Sequence, residues 1–219
     1  MSATPSYAVE EAVRAFQRGQ MVVILDRPDR ENEGDLAIAA EYATPAALGF
    51  MVMCGRGLVC MPTIGERLDE LRLPLMVSHP EGGAPAFTVS VDARSVGTGI
   101  SARDRAATVR AMLDPRTRRE DLVRPGHLFP LRCAPGGLLE RQGHTEASVE
   151  LARIAGLYPA AVICEVLNPA GDAASPPELR NFARCHNLPL VTIADLAATV
   201  ERPPIRPLRR QGPGVLMGA

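Results

Sequence analysis

Apolar and polar positions alternate along the chain in a way that separates short strands from amphipathic helices. Val9, Ala12, Val13 and Phe16 recur at the spacing of one helix face and stop at Gly19, which predicts a helix over residues 8–18. MVVIL (21–25) and LAIAA (36–40) contain no polar residue and read as buried strands flanking a charged loop. A second helix is expected over 45–53, then a buried strand in GLVCMP, a helix in ERLDELRL and an alternating strand in AFTVSVD. Between the last two, LPLMVSHPEGGAPA is rich in Pro and Gly and predicts a mobile loop. Ser101 followed by Asp104 has the form of a capping box opening a helix to Leu113.

The second half continues with a strand in HLFPLRC, a turn at Gly136-Gly137, and a helix for which Thr145 is the expected N-cap and Gly156 the stop. AAVICEV predicts a strand, PPELRNFARCHN a helix opened by its prolines, LPLVTI a last strand and ADLAATVE a last helix. Helices alternate with strands, and hairpin-like pairs are mixed in. The expected fold class is therefore α/β, of the α+β type: a single domain over residues 1–200 built on one mixed sheet flanked by helices. From Glu201 the sequence is Pro- and Arg-rich without periodicity, so 201–219 is expected to be a flexible tail.

With 46% apolar and 22% charged residues in 219, the chain can bury one large core. Its formal charge of −1 gives no reason to invoke nucleic acid or an anionic membrane, and no apolar run is long enough to span a bilayer. A cytoplasmic location is expected. Five widely spaced cysteines, none in a C-x-x-C arrangement, argue against a disulfide framework and against a thiolate zinc site. All 24 basic residues are arginine, which excludes Schiff-base, pyridoxal phosphate and Walker-type chemistry, each of which needs a lysine amine.

Candidate chemistry concentrates in a few stretches. In DRPDRENEGD (26–35) seven of ten side chains are ionisable, and Glu31, Glu33 and Asp35 at i, i+2, i+4 would share one side of extended backbone. Either Arg27 and Arg30 relieve the repulsion in a solvated hairpin, or a hard divalent cation does. In RQGHTE (141–146), Arg141 offers a bidentate fork, Gly143 permits close backbone approach, and Thr145 begins a helix whose amides favour an anion. His144 lies inside this phosphate cradle as a metal ligand, a proton carrier or a helix-cap histidine. His127 follows a Pro-Gly corner at the edge of the core, where packing and catalysis are both open to it. Glu165 interrupts the strand AAVICEV, where an unpartnered carboxylate would cost several kcal/mol. His79 and His186 read as surface residues. Together these features suggest metal-assisted chemistry on a phosphorylated polyol or ketose.

DRENEGD, GTGISARDRAATVRAM, RPGHLFPLR, GGLLERQGHTEA and ICEVLN, in this order, resemble the 3,4-dihydroxy-2-butanone 4-phosphate synthases of riboflavin biosynthesis over residues 8–200. Nothing similar to the GTP cyclohydrolase II domain of some members follows, which implies a stand-alone synthase. The resemblance implies a lyase that turns D-ribulose 5-phosphate into L-3,4-dihydroxy-2-butanone 4-phosphate and formate with Mg²⁺ or Mn²⁺ and no organic cofactor. It implies Glu31 and His144 as metal ligands. It places Arg30, Glu31, Asp35, Arg141, Gln142, Gly143, His144 and Thr145 against the substrate, with His127 and Glu165 essential for activity. It further implies a homodimer with active sites at the subunit interface, Thr98 approaching the second copy's phosphate site.

Two positions depart from the family pattern. The loop after LPLMV reads SHPEGG where paired asparagines are usual, and Gln142 stands where a small residue is usual and would crowd the phosphate. These departures keep two rivals open: a paralogue acting on a different sugar phosphate, and a non-catalytic metal- or sugar-phosphate-binding protein.

Overall fold

The computed structural model describes residues 6–27, 30, 32–78 and 83–200; Glu31, His79 and the expected tail 201–219 lie outside them. Helix α1 (Tyr7–Gln17) starts where Ser6 accepts a hydrogen bond from the Val9 amide, and it stops before Gly19, whose φ of 69° a side chain would oppose. The strands are β1 (Val22–Leu25), β2 (Gly34–Ala39), β3 (Cys60–Thr63), β4 (Val91–Ala93), β5 (Leu122–Arg132), β6 (Ala161–Glu165) and β7 (Leu190–Thr192). They form one sheet in the order β4-β5-β3-β6-β2-β1-β7. The β1/β7 and β3/β5 pairs are parallel and the others antiparallel, so the sheet is mixed as the element pattern predicts.

The remaining helices are α2 (Pro45–Phe50), α3 (Gly65–Glu70), α4 (Ala102–Leu113), α5 (His144–Ile154), α6 (Pro176–Cys185) and α7 (Ile193–Val200). Period-two alternation sorts the strand side chains into two cores. Val23, Leu25, Leu36, Ile38, Met61, Val162 and Cys164 face α2, α3, α4 and α6. Val22, Ile24, Ala37, Ala39, Cys60, Leu131 and Ile163 face α1, α5 and α7. Both faces are covered, which is why the central strands carry almost no polar residue.

Several local expectations need correction. The helix expected over 45–53 is α-helical only to Phe50 and continues as a wider π turn, Met51–Gly55, closed by Arg56 at φ 74°. AFTVSVD is not one strand: Phe87 and Thr88 make isolated bridges, and regular pairing begins at Val91. Strand β5 begins at Leu122, five residues ahead of HLFPLRC, and so contains the Pro125-Gly126 corner. The N-cap of α5 is Gly143 and not Thr145, which sits inside the first turn. The run of extended backbone expected to align Glu31, Glu33 and Asp35 starts only at Gly34, because Asn32 adopts a left-handed φ of 56° and turns the chain.

Candidate active site

The predicted residues gather at one end of the sheet, on the α5 face. In the antiparallel β2/β6 pair Asp35 is directly opposite Glu165, and in the β1/β2 pair Ile24 is opposite Asp35. Asp35 and Ala37 share a side of β2, and Glu165 and Ile163 share a side of β6, so both carboxylates point toward α5. Cys60 pairs with Ile163 on β6 and with Phe129 on β5. Ahead of β3 the register shifts by one residue, since an isolated bridge joins Arg56 to Val166. The Leu58 amide donates to Glu165 Oε2 at 2.7 Å. Ile24, Asp35 and Glu165 thus form one paired row across β1, β2 and β6, with the Leu58 amide bonded at its Glu165 end.

Directly opposed like charges repel, and here Asp35 is 4% exposed. Glu165 ends β6 half-buried, while the strand around it is buried as its apolar pattern predicts. Gly57 makes the close approach possible: a Cβ there would lie 2.5 Å from Glu165 Oε2 and 2.6 Å from the Glu165 carbonyl oxygen. The negative charge of the row is felt by its neighbours. Burial, then the charges of Glu165 and Asp35, push the Cys60 thiol far above its ordinary range, and burial with Glu165 pushes Cys164 up to about 12. Neither thiol is a ready nucleophile or ligand.

The start of α5 meets the other end of the row. His144 is 8% exposed, and its Nε2 lies 3.2 Å from the Ile24 carbonyl oxygen. A carbonyl only accepts, so in the neutral ring Nε2 carries the hydrogen and Nδ1 the lone pair that a metal requires. Gly143 caps the helix without a side chain, and a Cβ there would collide with Arg141 Nη1. Arg141 folds over the helix start because Glu146, 1% exposed, bonds its Nη1 at 2.6 Å and the Gly83 carbonyl accepts from its Nε at 3.0 Å. The other Glu146 oxygen accepts from the Ala134 amide at 3.2 Å. One edge of the expected guanidinium fork is therefore already committed. Thr145 is 3% exposed in the first turn.

In the acidic loop, Arg30 is held by Asp26, whose fully buried carboxylate bonds its Nη1 at 2.7 Å and the Arg27 amide at 2.7 Å. The Asp26 amide donates to the Glu33 carbonyl at 2.9 Å, closing the loop between β1 and β2. Gln142, expected to crowd the phosphate, accepts from Arg27 Nη1 at 3.2 Å and so joins this loop to the α5 start. Among the described residues no three His, Cys, Asp or Glu side chains are grouped closely enough to hold a metal. His144 bonds the carbonyl of Ile24, the residue opposite Asp35, and an imidazole nitrogen and a carboxylate oxygen are donor types that Mg²⁺ or Mn²⁺ accepts. Glu31, the other expected ligand, lies outside the described residues.

His127 projects its side chain 43% exposed, and its Nδ1 lies 2.7 Å from Asp92 Oδ2. Asp92, Asp26 and Glu146 were not singled out from the sequence. Each is a carboxylate that grips a candidate residue: Asp26 is four residues from Arg30 and Glu146 five from Arg141, whereas Asp92 is 35 residues from His127. Thr98 is exposed on the loop between β4 and α4. His186 packs its ring against Phe50 and Phe182 at the end of α6, outside the row.

Comparison with known proteins shows the family. The family model for 3,4-dihydroxy-2-butanone 4-phosphate synthase matches residues 10–199. The chain is 52% identical over 192 residues to a 3,4-dihydroxy-2-butanone 4-phosphate synthase of Agrobacterium fabrum, covering 87% of this chain and 90% of that one. It is 54% identical over 193 residues to the riboflavin biosynthesis protein RibBA of Synechocystis sp., covering 86% of this chain but 35% of that longer protein. A crystal structure of 3,4-dihydroxy-2-butanone 4-phosphate synthase in complex with two magnesium ions superimposes with a TM-score of 0.84 at 44% identity, covering 88% of this chain and 96% of that one. The two-domain RibBX of A. baumannii superimposes with a TM-score of 0.83 at 47% identity, covering 86% of this chain and 56% of that one. No described helix is long and apolar enough to cross a membrane.

Proposed function

Because the chain belongs to the 3,4-dihydroxy-2-butanone 4-phosphate synthase family, we propose that it converts D-ribulose 5-phosphate into L-3,4-dihydroxy-2-butanone 4-phosphate and formate for riboflavin synthesis. The pairing that sets Asp35 opposite Glu165 near the start of α5, in the same sheet whose strand β5 carries His127, is the observation that most supports this reading. It sets two groups able to move protons near a seat for an anion, which is what a phosphorylated ketose needs at its two ends.

Arg141 and the first amides of α5 bind the phosphate, and that remote binding energy orients the reacting carbons against the row. Glu31 and His144 would hold a divalent metal, which when bound would supply Lewis-acid stabilisation to the oxygen on which charge develops. Asp35 and His127 exchange protons with the carbons and hydroxyls beside the ketone, while Glu165, held by the Leu58 amide, serves the later carbon-skeleton step. Loss of one carbon as formate balances the five-carbon substrate against the four-carbon product. Arg30 stands ready for a substrate hydroxyl. The working unit is a homodimer in the cytoplasm, in which Thr98 approaches the phosphate site of the second copy.

Purified protein with Mg²⁺ should release formate from D-ribulose 5-phosphate, and exhaustive chelation with EDTA should stop it. His144→Ala should lose the metal-dependent rate while remaining folded. Equal turnover of other pentulose and hexulose phosphates would point to the paralogue reading.

A further inference from the structure

We infer that Asp92 is a positioning residue that fixes His127 in its Nδ1–H tautomer, so that Nε2 meets the substrate with its lone pair; the inference rests on the reading of the site given above. The cause lies in how β4 and β5 pair. Val91 is opposite Leu128, but the next residue, Asp92, is opposite Val123, so Arg124 to His127 bulge out of the ladder. A bulge leaves backbone amides without a strand partner. Two side chains of the facing segment accept them. Ser90 Oγ takes the Gly126 amide at 3.1 Å, and Asp92 Oδ1 takes the His127 amide at 2.9 Å. With Oδ1 committed to the backbone, Oδ2 is left to His127 Nδ1 at 2.7 Å.

The two bonds together remove the freedom that either alone would leave. The amide bond sets where the His127 backbone stands, the ring bond sets the rotation of the imidazole, and a carboxylate can only accept, so Nδ1 must donate. The carboxylate itself is wedged. A Cβ on Gly99 or on Gly126 would collide with Asp92 or with the Val91–Asp92 backbone, and Gly99 has a φ of 87° that glycine tolerates. Arg105 is within electrostatic range of Asp92: burial lowers its guanidinium's pKa, and the Asp92 carboxylate is among the groups that oppose the fall. It donates from Nε to the Ile100 carbonyl at 3.0 Å and leaves both Asp92 oxygens to His127.

A merely structural Asp92 and a positioning Asp92 differ in one exchange. In Asp92→Asn the amide oxygen can still accept from the His127 backbone, and the bulge remains satisfied. Its NH₂ group then faces Nδ1 and donates to it, which inverts the tautomer and leaves Nε2 holding a hydrogen. General acid–base groups contribute about 10²- to 10⁴-fold, so kcat for formate release should fall within that range. KM should change by less than about threefold, because no substrate contact is removed. Nitrogen-15 NMR of the ring, in the wild type and the variant, should show Nδ1–H and Nε2–H respectively. A wild-type ring that is neutral with its hydrogen on Nε2 overturns the inference, and that measurement needs no variant to fold. A folded Asp92→Asn protein with native kcat overturns it as well. If wild-type protein released no formate, the reaction assignment would fall while the tautomer measurement still decided the role of Asp92.

Discussion

Replacing Glu146 with Gln tests how the site is held together. Glu146 is 1% exposed and its Oε2 lies 2.6 Å from Arg141 Nη1, while Arg141 is 20% exposed at the side chain. Gln keeps the shape and the acceptor for the Ala134 amide, but it removes the charge and turns an NH₂ group toward the guanidinium. Breaking one partner of a fully buried pair costs about 3–5 kcal/mol. The modest exposure of Arg141 and its second bond, to the Gly83 carbonyl, reduce this, and about 2–3 kcal/mol is expected. For a domain of this size that corresponds to a fall in Tm of roughly 4–12 °C. Arg141 would also lose its aim over the start of α5. The KM for ribulose 5-phosphate should therefore rise by about tenfold or more while kcat changes less, since each 1.4 kcal/mol of lost binding is about a factor of ten. Scanning calorimetry and formate-release kinetics on the same preparation provide both numbers. A variant within about 0.5 kcal/mol of wild type and with native KM would refute the role given to the pair.

Gly57→Ala should cost about 1–3 kcal/mol in a denaturant titration and reduce kcat, since its Cβ would have to share space with Glu165 Oε2 at 2.5 Å. Native turnover in that variant would mean Glu165 needs no fixed position. Glu165→Gln itself should lower kcat more than it raises KM. Alkylation at about pH 8 should modify Cys54 and Cys185 while native Cys133 and Cys164 resist: burial pushes both of these up to about 12, so each thiol stays protonated well above that pH and lacks the reactive thiolate. Mass mapping that finds Cys164 labelled as fast as Cys185 would contradict the burial.

Legibility tracked how far apart the determining residues lie. Helix α6 was readable because Pro176 and Pro177 mark its opening, and the structure adds a capping box between Ser175 and Glu178 within the same few residues. The start of α5 was misread because Thr is a better N-cap than Gly by local chemistry. Gly143 holds that place because Arg141, held by Glu146, crosses it too closely for a Cβ. The beginning of β5 was missed for a similar reason: Pro125-Gly126 looks like a corner, and the side chains that accept its amides, Ser90 and Asp92, stand 36 and 35 residues away.

The order of helices and strands, the mixed sheet, the concentration of chemistry in the stretches around residues 30, 127, 144 and 165, and the exclusion of lysine chemistry follow from the sequence alone, because periodicity, capping and residue type act within a few neighbours. Pairing register belongs to the tertiary structure. Only the sheet sets Asp35 opposite Glu165 across 130 positions, and only the β4/β5 bulge gives His127 its carboxylate. A strand's own pattern says which face a side chain takes; which partner it meets there depends on the backbone that arrives beside it.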